Sequence, residues 1–186
     1  MLNMNFFRER QMQRIQRMAT ALLPVMGVFC LFYVFVTAQN TLDFAILSPE
    51  RWYESRFAHP AAQIAQQTRI VYAVIWLLPV AAGLAAVFMA MHVLNLVRQG
   101  VLFDERIARG FRFAGIGTAL SGGLDHLAHF LSPLIISWHN PDGGLPARFY
   151  FNSDSGGLIL CGAMFWLVGW IMREAIQIAE DNEGFI

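Results

Sequence analysis

Lysine is absent from this 186-residue chain, and charge of either sign is scarce. Asp, Glu and Arg together make up 14% of the residues, against about 25% in an ordinary soluble domain. Much of the surface must therefore face something other than water. Thirteen basic and thirteen acidic residues cancel to a formal charge of zero, so nothing in the charge balance predicts nucleic-acid binding. Only two cysteines are present, Cys30 and Cys161, and both sit inside apolar runs. That excludes a disulfide framework or a cysteine-built zinc site and leaves the thiols as packing residues. Also missing are a phosphate-binding glycine loop, a dinucleotide fingerprint, a G-x-S-x-G elbow and any recognisable nucleophile–base pair. The reading leans away from an enzyme. No internal repeat of about 20–50 residues points to stacked units, and the length suits one domain.

What the chain has in abundance is apolar sequence: 56% hydrophobic residues and a mean hydropathy of +0.47. A helix crossing the hydrocarbon core needs roughly 20 such residues. Four stretches qualify, over residues 18–38, 70–97, 113–138 and 157–176. The second is longer than the core requires and is expected to tilt or project. The third is interrupted by Asp125, His126 and His129, and the fourth continues past Arg173, whose side chain can snorkel to the interface. The expectation is an all-α, integral membrane four-helix bundle in one domain.

Arginine placement sets its orientation. Arg8, Arg10, Arg14, Arg17, Arg98, Arg106, Arg109, Arg112 and Arg173 fall on one side, and Arg51, Arg56, Arg69 and Arg148 on the other. The positive-inside rule then puts both termini in the cytoplasm. The first run reads as a retained anchor rather than a signal peptide, because it is long and lacks a small-residue cleavage site. In the first outer loop, Ser48-Pro49-Glu50 followed by Trp52, Tyr53 and Phe57 predicts a short helix in the headgroup region. Asn140-Pro141-Asp142-Gly143-Gly144 predicts a turn.

Two segments carry a resemblance. The inner loop reads Val97-Arg98-Gln99-Gly100-Val101-Leu102-Phe103-Asp104, running on to Arg109-Gly110-Phe111-Arg112. The chain ends Glu180-Asp181-Asn182-Glu183-Gly184-Phe185-Ile186. Together they resemble a bacterial membrane-protein family known as domain of unknown function 2975, in which an inner-loop glycine precedes a phenylalanine and an acidic-asparagine-acidic motif precedes a short apolar end. Gly184 departs from the threonine-like residue that pattern has. The resemblance implies four transmembrane helices in a bacterial inner membrane and no assigned reaction. It also implies a helix-turn-helix regulator as a partner, since members are encoded beside one.

Chemistry concentrates in the third span. At 100° per residue, Gly115, Ala119, Gly122, His126, His129 and Pro133 share one stripe, with Asp125 at its edge. Small residues there let a neighbouring helix approach, and Asp125 can pair with His129 four residues on. The pairing offsets part of the cost of burying an acid, about 3 kcal/mol at mid-membrane. Asp125, His126 and His129 therefore form a candidate polar site for a proton, a metal, a haem or a ligand headgroup, with a polar pair that locks helix packing as the plainer alternative. A metal site on His126 and His129 lacks ligands. His92 lies about 8 Å deep and His126 about 20 Å, and the other haem ligands at that depth are methionines such as Met26 and Met164. No cofactor is expected on this basis.

The cytoplasmic ends offer a second candidate. Arg10, Arg14 and Arg17 line one helix face, and Glu180, Asp181 and Glu183 lie on the same side of the membrane. They could pair with one another, anchor to anionic headgroups or mark a partner site, where oligomerisation is another outcome. The leading expectation is a non-enzymatic regulatory or sensory subunit. The alternative is a cofactor-, metal- or proton-handling protein centred on Asp125, His126 and His129.

Overall fold

The computed structural model describes residues 2–42, 65–138 and 153–183, and their secondary structure is wholly helical. Four helices follow in order: α1 (Leu2–Leu42), α2 (Gln66–Arg98), α3 (Glu105–Ser137) and α4 (Ser153–Glu183). The helix expected from Ser48 and the turn expected at Asn140 lie outside the described residues. Each helix outruns the apolar stretch at its centre. Arginine, glutamine and methionine are good helix formers, so α1 starts well before Met18 and α4 runs through Arg173 to Glu183.

Over Arg10–Gln39, Gln66–Arg98 and Ser153–Asp181, three of these helices are long and apolar enough to cross a membrane. α3 equals α2 at 33 residues, but Arg106, Arg109, Arg112 and Asp125 dilute its apolar character.

α3 is the centre of the packing. It lies against α2 on one side and α4 on the other, while α1 packs on α2 alone. Two seven-residue repeats on α3 account for this. Ile107, Ala114, Ser121 and Ala128 are buried on the α2 side, opposite Tyr72, Pro79, Ala86 and Val93, which are also buried and also seven apart. One position on, Ala108, Gly115 and Gly122 meet Gly169, Gly162 and Ser155 of α4. A period of 3.5 residues per turn is that of helices crossing at about +20° with a left-handed wind.

The α3–α4 seam is close because its residues have little or no side chain. A Cβ added at Gly115 would stand 2.5 Å from the Trp166 backbone nitrogen, and one at Gly162 2.5 Å from the Ala119 nitrogen. Gly122 meets the Ser155 carbonyl at 2.6 Å in the same construction. Arg112 closes the seam at the basic end by laying its guanidinium over Trp170, 5.6 Å from the ring centroid.

The α2–α3 connection is short and fully specified. Val101 N–H donates to the Leu96 carbonyl and Gly100 N–H to the Val97 carbonyl, the paired bonds of a helix end with a left-handed residue. Gly100 is that residue, at φ +85°. Val101 packs back onto the cluster of Val93, Leu96 and Ile107. Asp104 then starts α3. Its Oδ1 accepts from the Arg106 backbone N–H at 2.7 Å, and its carboxylate takes both Arg106 Nε (3.0 Å) and Nη2 (2.9 Å). These donors, the Arg106 side chain first, hold the Asp104 carboxyl at about 2 rather than 3.8.

Two outcomes follow for stability. Gly115→Ala should destabilise the protein by roughly 1–3 kcal/mol, because backbone atoms of α4 block the new methyl. Gly123→Ala, with nothing within 4 Å, should be neutral or slightly stabilising through helix propensity. Reversible unfolding in mixed micelles separates the two. The Asp104 carboxyl is depressed in the folded state, so its contribution is complete above pH ~4 and is lost as pH falls towards ~2. The difference in Tm between wild type and Asp104→Ala should accordingly be widest near neutrality and close over that window, while Asp104→Asn flattens the pH response.

Candidate functional site

Polar side chains from three helices meet around Asp125. Ser155, buried at the start of α4, donates its Oγ hydrogen to Asp125 Oδ2 at 2.5 Å. His129 Nδ1 stands 3.5 Å from the same oxygen and 3.0 Å from the Asp125 backbone carbonyl. The sequence-expected pair is thus brought together. The histidine's shorter contact, however, is with the backbone oxygen one turn back, and Ser155 makes the closer contact with the carboxyl group. Trp76 of α2 packs edge-on against the His129 ring at 4.8 Å and donates its indole N–H to Ser132 Oγ at 3.2 Å. Ser132 passes its own hydrogen to the Ala128 carbonyl. His129 therefore faces α2, whereas Gly115, Ala119 and Gly122 face α4, and the single stripe read from the sequence divides between two neighbours.

His126 is half-buried. His92 is exposed at the other end of α2, Met164 is exposed on α4, and Met26 lines a cleft described below. Among the described residues, no three His, Cys, Asp or Glu side chains come together as a metal site would require.

One turn along α3, Ser121 Oγ donates to the Pro79 carbonyl at 2.8 Å. Ser121 also lines an apolar cleft of about 710 Å³. Its walls come from all four helices: Leu22, Phe29 and Tyr33 of α1, Ala90 of α2, Phe111 of α3 and Phe165 of α4 among them. Among the described residues α1 and α4 share no contact, which leaves the cleft open between them. At the basic end a recess of about 480 Å³ between α1 and α2 is lined by Gln13, Gln16, Arg17, Thr20, Ala21 and Arg98.

The charged ends are not joined. Arg10, Arg14 and Arg17 are exposed on α1, and Glu180 and Asp181 are exposed on α4. The side chain of Glu183 is outside the described residues. Ion pairs include Asp104–Arg106, Glu105–Arg109 and Asp125–His129; among the described residues neither Arg14 nor Arg17 is paired with Glu180 or Asp181.

Ser155, Trp76 and Ser132 were missed in the reading of the sequence, and Arg98 was read there only as an orientation charge and part of the inner-loop motif. The signal for Ser155 was present: Ser155, Gly162 and Gly169 repeat every seven residues, in step with Ala108, Gly115 and Gly122. Trp76 and Arg98 had no comparable signal, since each matters through a neighbouring helix.

No family model matches the chain, and neither a curated protein nor a solved structure is similar to it.

If Ser155 and Asp125 tie α4 to α3, Ser155→Ala should cost about 1–3 kcal/mol, because it strands a polar oxygen. Combined with Asp125→Leu, the loss should fall well short of the sum of the two single losses. The check is a double-mutant cycle by unfolding in bilayer-like micelles. Full additivity would dismiss the tie.

Proposed function

We propose that this chain is a non-enzymatic regulatory or sensory subunit of a bacterial inner membrane, crossing it four times with both termini in the cytoplasm. It works by contacting another protein there. α3 belongs among the spans because its length equals that of α2 and it is sandwiched between two apolar helices. Its acid and histidine have partners on its own turn and on α4, which lowers the cost of placing them in hydrocarbon. The excess of arginine at the chain's amino-terminal end and on the facing ends of α2 and α3, Arg98, Arg106, Arg109 and Arg112, supports the orientation. The inner-loop and carboxyl-terminal motifs support kinship with the four-helix family named above. By that analogy a helix-turn-helix regulator is a fitting partner.

The observation that carries the reading is the pair of helical ends of opposite sign, exposed Arg14 and Arg17 on α1 and exposed Glu180 and Asp181 on α4, between which no contact forms among the described residues. Charges that only fixed topology would not need acids on the same side, and charges that only braced the fold would be paired. Exposed ion pairs add about 0–1 kcal/mol to stability, whereas complementary charge across an interface gives specificity and speed of encounter. Phe103, 84% exposed in the neighbouring loop, adds an apolar contact at the same end.

A second reading keeps Asp125, His126 and His129 as a proton- or cofactor-handling site. It draws on the carboxyl and imidazole held together beside a cleft. The bonds of Asp125 to Ser155 and of Trp76 to Ser132 weigh towards a structural role, since both join helices.

The interaction reading is tested by placing a photo-reactive amino acid at Gln11 and, separately, at Gln177 in living cells. Both positions should capture one protein of the same discrete mass. Capture at Gln177 should fall at least tenfold when Glu180, Asp181 and Glu183 are changed together to Gln, Asn and Gln. Adducts to lipid alone at both positions would overturn it.

A further inference from the structure

We infer that the recess between α1 and α2 is a binding site for one anionic phosphate group, taken between Arg17 and Arg98 at the level of the lipid headgroups. The recess is separate from the apolar cleft and shares no lining residue with it. Its wall on α1 is Gln13, Gln16, Arg17, Thr20 and Ala21, spaced as one helix face requires. Arg98, the last residue of α2, completes it. The lining is thus polar except for Ala21, with two cationic side chains and no acid. At about 480 Å³ the space falls among small-ligand sites, which span about 300–1,000 Å³.

Charge and position select the ligand. Two guanidinium groups lining one recess repel each other, and an anion between them turns that repulsion into attraction. Among the described residues no acid does this. Asp104 and Glu105, the acids nearest Arg98 in sequence, are engaged by Arg106 and Arg109, whereas Arg17 and Arg98 have no ion-pair partner among the described residues. α1 and α2 are each long and apolar enough to cross a membrane. Arg17 precedes the uncharged run 18–42 and Arg98 follows the uncharged run 70–97, so both stand at one boundary of the hydrocarbon. Lipid phosphates lie at that boundary, and soluble phosphates reach it from the water. Arginine clasps a phosphate with two parallel N–H donors, and the amides of Gln13 and Gln16 supply neutral donors beside it. The Thr20 hydroxyl is already committed to the Gln16 carbonyl, at 2.8 Å. A zwitterionic choline headgroup suits the recess poorly, since no acid is there to receive its ammonium. The seat is also fixed in place. Gln16 Nε2 stands 3.0 Å from where a Cβ on Gly100 would be, so α1 rests against the α2–α3 turn, and Ala19 is buried. The site uses neither Glu180 nor Asp181, and binding there needs no protein partner.

The test is native mass spectrometry of the delipidated full chain in detergent. It is titrated separately with phosphatidylglycerol, with phosphatidylcholine of identical acyl chains, and with glycerol 3-phosphate. One phosphate ligand should bind per chain, and phosphatidylcholine at least about tenfold more weakly, as it carries no net charge. Preference for phosphatidylglycerol over glycerol 3-phosphate would make the ligand a lipid headgroup; equal or tighter binding of glycerol 3-phosphate would make it a soluble phosphate. Arg17→Gln with Arg98→Gln should weaken the preferred ligand roughly thirty-fold, about fivefold per arginine from ~1 kcal/mol of attraction each. Arg17→Lys with Arg98→Lys should recover most of it. Arg173→Gln removes an arginine from the same side that does not line the recess, and should change binding by less than about twofold. Circular dichroism with Tm identifies any variant that has lost its fold, and the single Arg→Gln variants then take its place. Phosphatidylcholine binding as tightly as both other ligands, unchanged binding in the Arg→Gln pair, or a loss in Arg173→Gln equal to that in Arg98→Gln would overturn the proposal.

Discussion

Backbone touches backbone where α3 meets α4, and the other contacts are arranged around that approach. Between helices surrounded by lipid there is no hydrophobic gain, because an acyl chain is as apolar as leucine, so association rests on close packing and interhelical hydrogen bonds. Gly115, Gly122, Gly162 and Gly169 provide the closeness. Ser155 and Asp125 provide a bond at one end of the seam, and Arg112 over Trp170 the closure at the other. The α2–α3 seam follows the same rule with slightly larger residues, Ala86 against Gly117 and Gly83 against Ser121. The bond from Ser121 to the Pro79 carbonyl and that from Trp76 to Ser132 tie the same two helices together.

The same rule explains why α1 stands off. Its outer half carries Phe29, Phe32 and Phe35, all exposed, and its one glycine, Gly27, faces open space. Among the described side chains of α1, Ala19, 2% exposed, is the one buried against a neighbour. α1 is therefore held at the basic end by Ala19 and Gln16, and the cleft is the space its large side chains cannot close.

The helical architecture was legible because hydrocarbon thickness dictates run length: residues 70–97 anticipated Gln66–Arg98 to within a few positions. Gly115, Ala119 and Gly122 were legible as a contact stripe for the same elementary reason, the 3.6-residue turn. Continuing that stripe through His126 and His129 assigned one neighbour where there are two, because a rotation angle says which residues share a face and not how wide that face is. Ser155 was invisible as a partner for Asp125, since thirty residues separate them and only the seven-residue register of both helices brings them level. Arg17 was legible as part of a basic face, but its pairing with Arg98 across the recess depends on where α1 comes to rest. Whether Arg14 and Arg17 pair with Glu180 and Asp181 was open in the sequence, and their lack of mutual contact depends on helix placement that one sequence does not encode locally.

The short α2–α3 connection has a consequence for how the protein is made. Six residues, Gln99 to Asp104, reverse the chain, with bonds to the end of α2 on one side and a cap on α3 on the other. In the four-span arrangement, α2 can enter the bilayer unaided, whereas α3 brings Asp125 and three arginines and gains its best partner only from α4. During synthesis the α2–α3 hairpin would emerge first, with Asp125 still lacking Ser155. The translocation machinery or a chaperone must then hold α3 at the lateral exit until about 30 more residues have been added. A nascent chain arrested in that interval would have a paid-up turn and an unsealed helix, a natural substrate for membrane quality control.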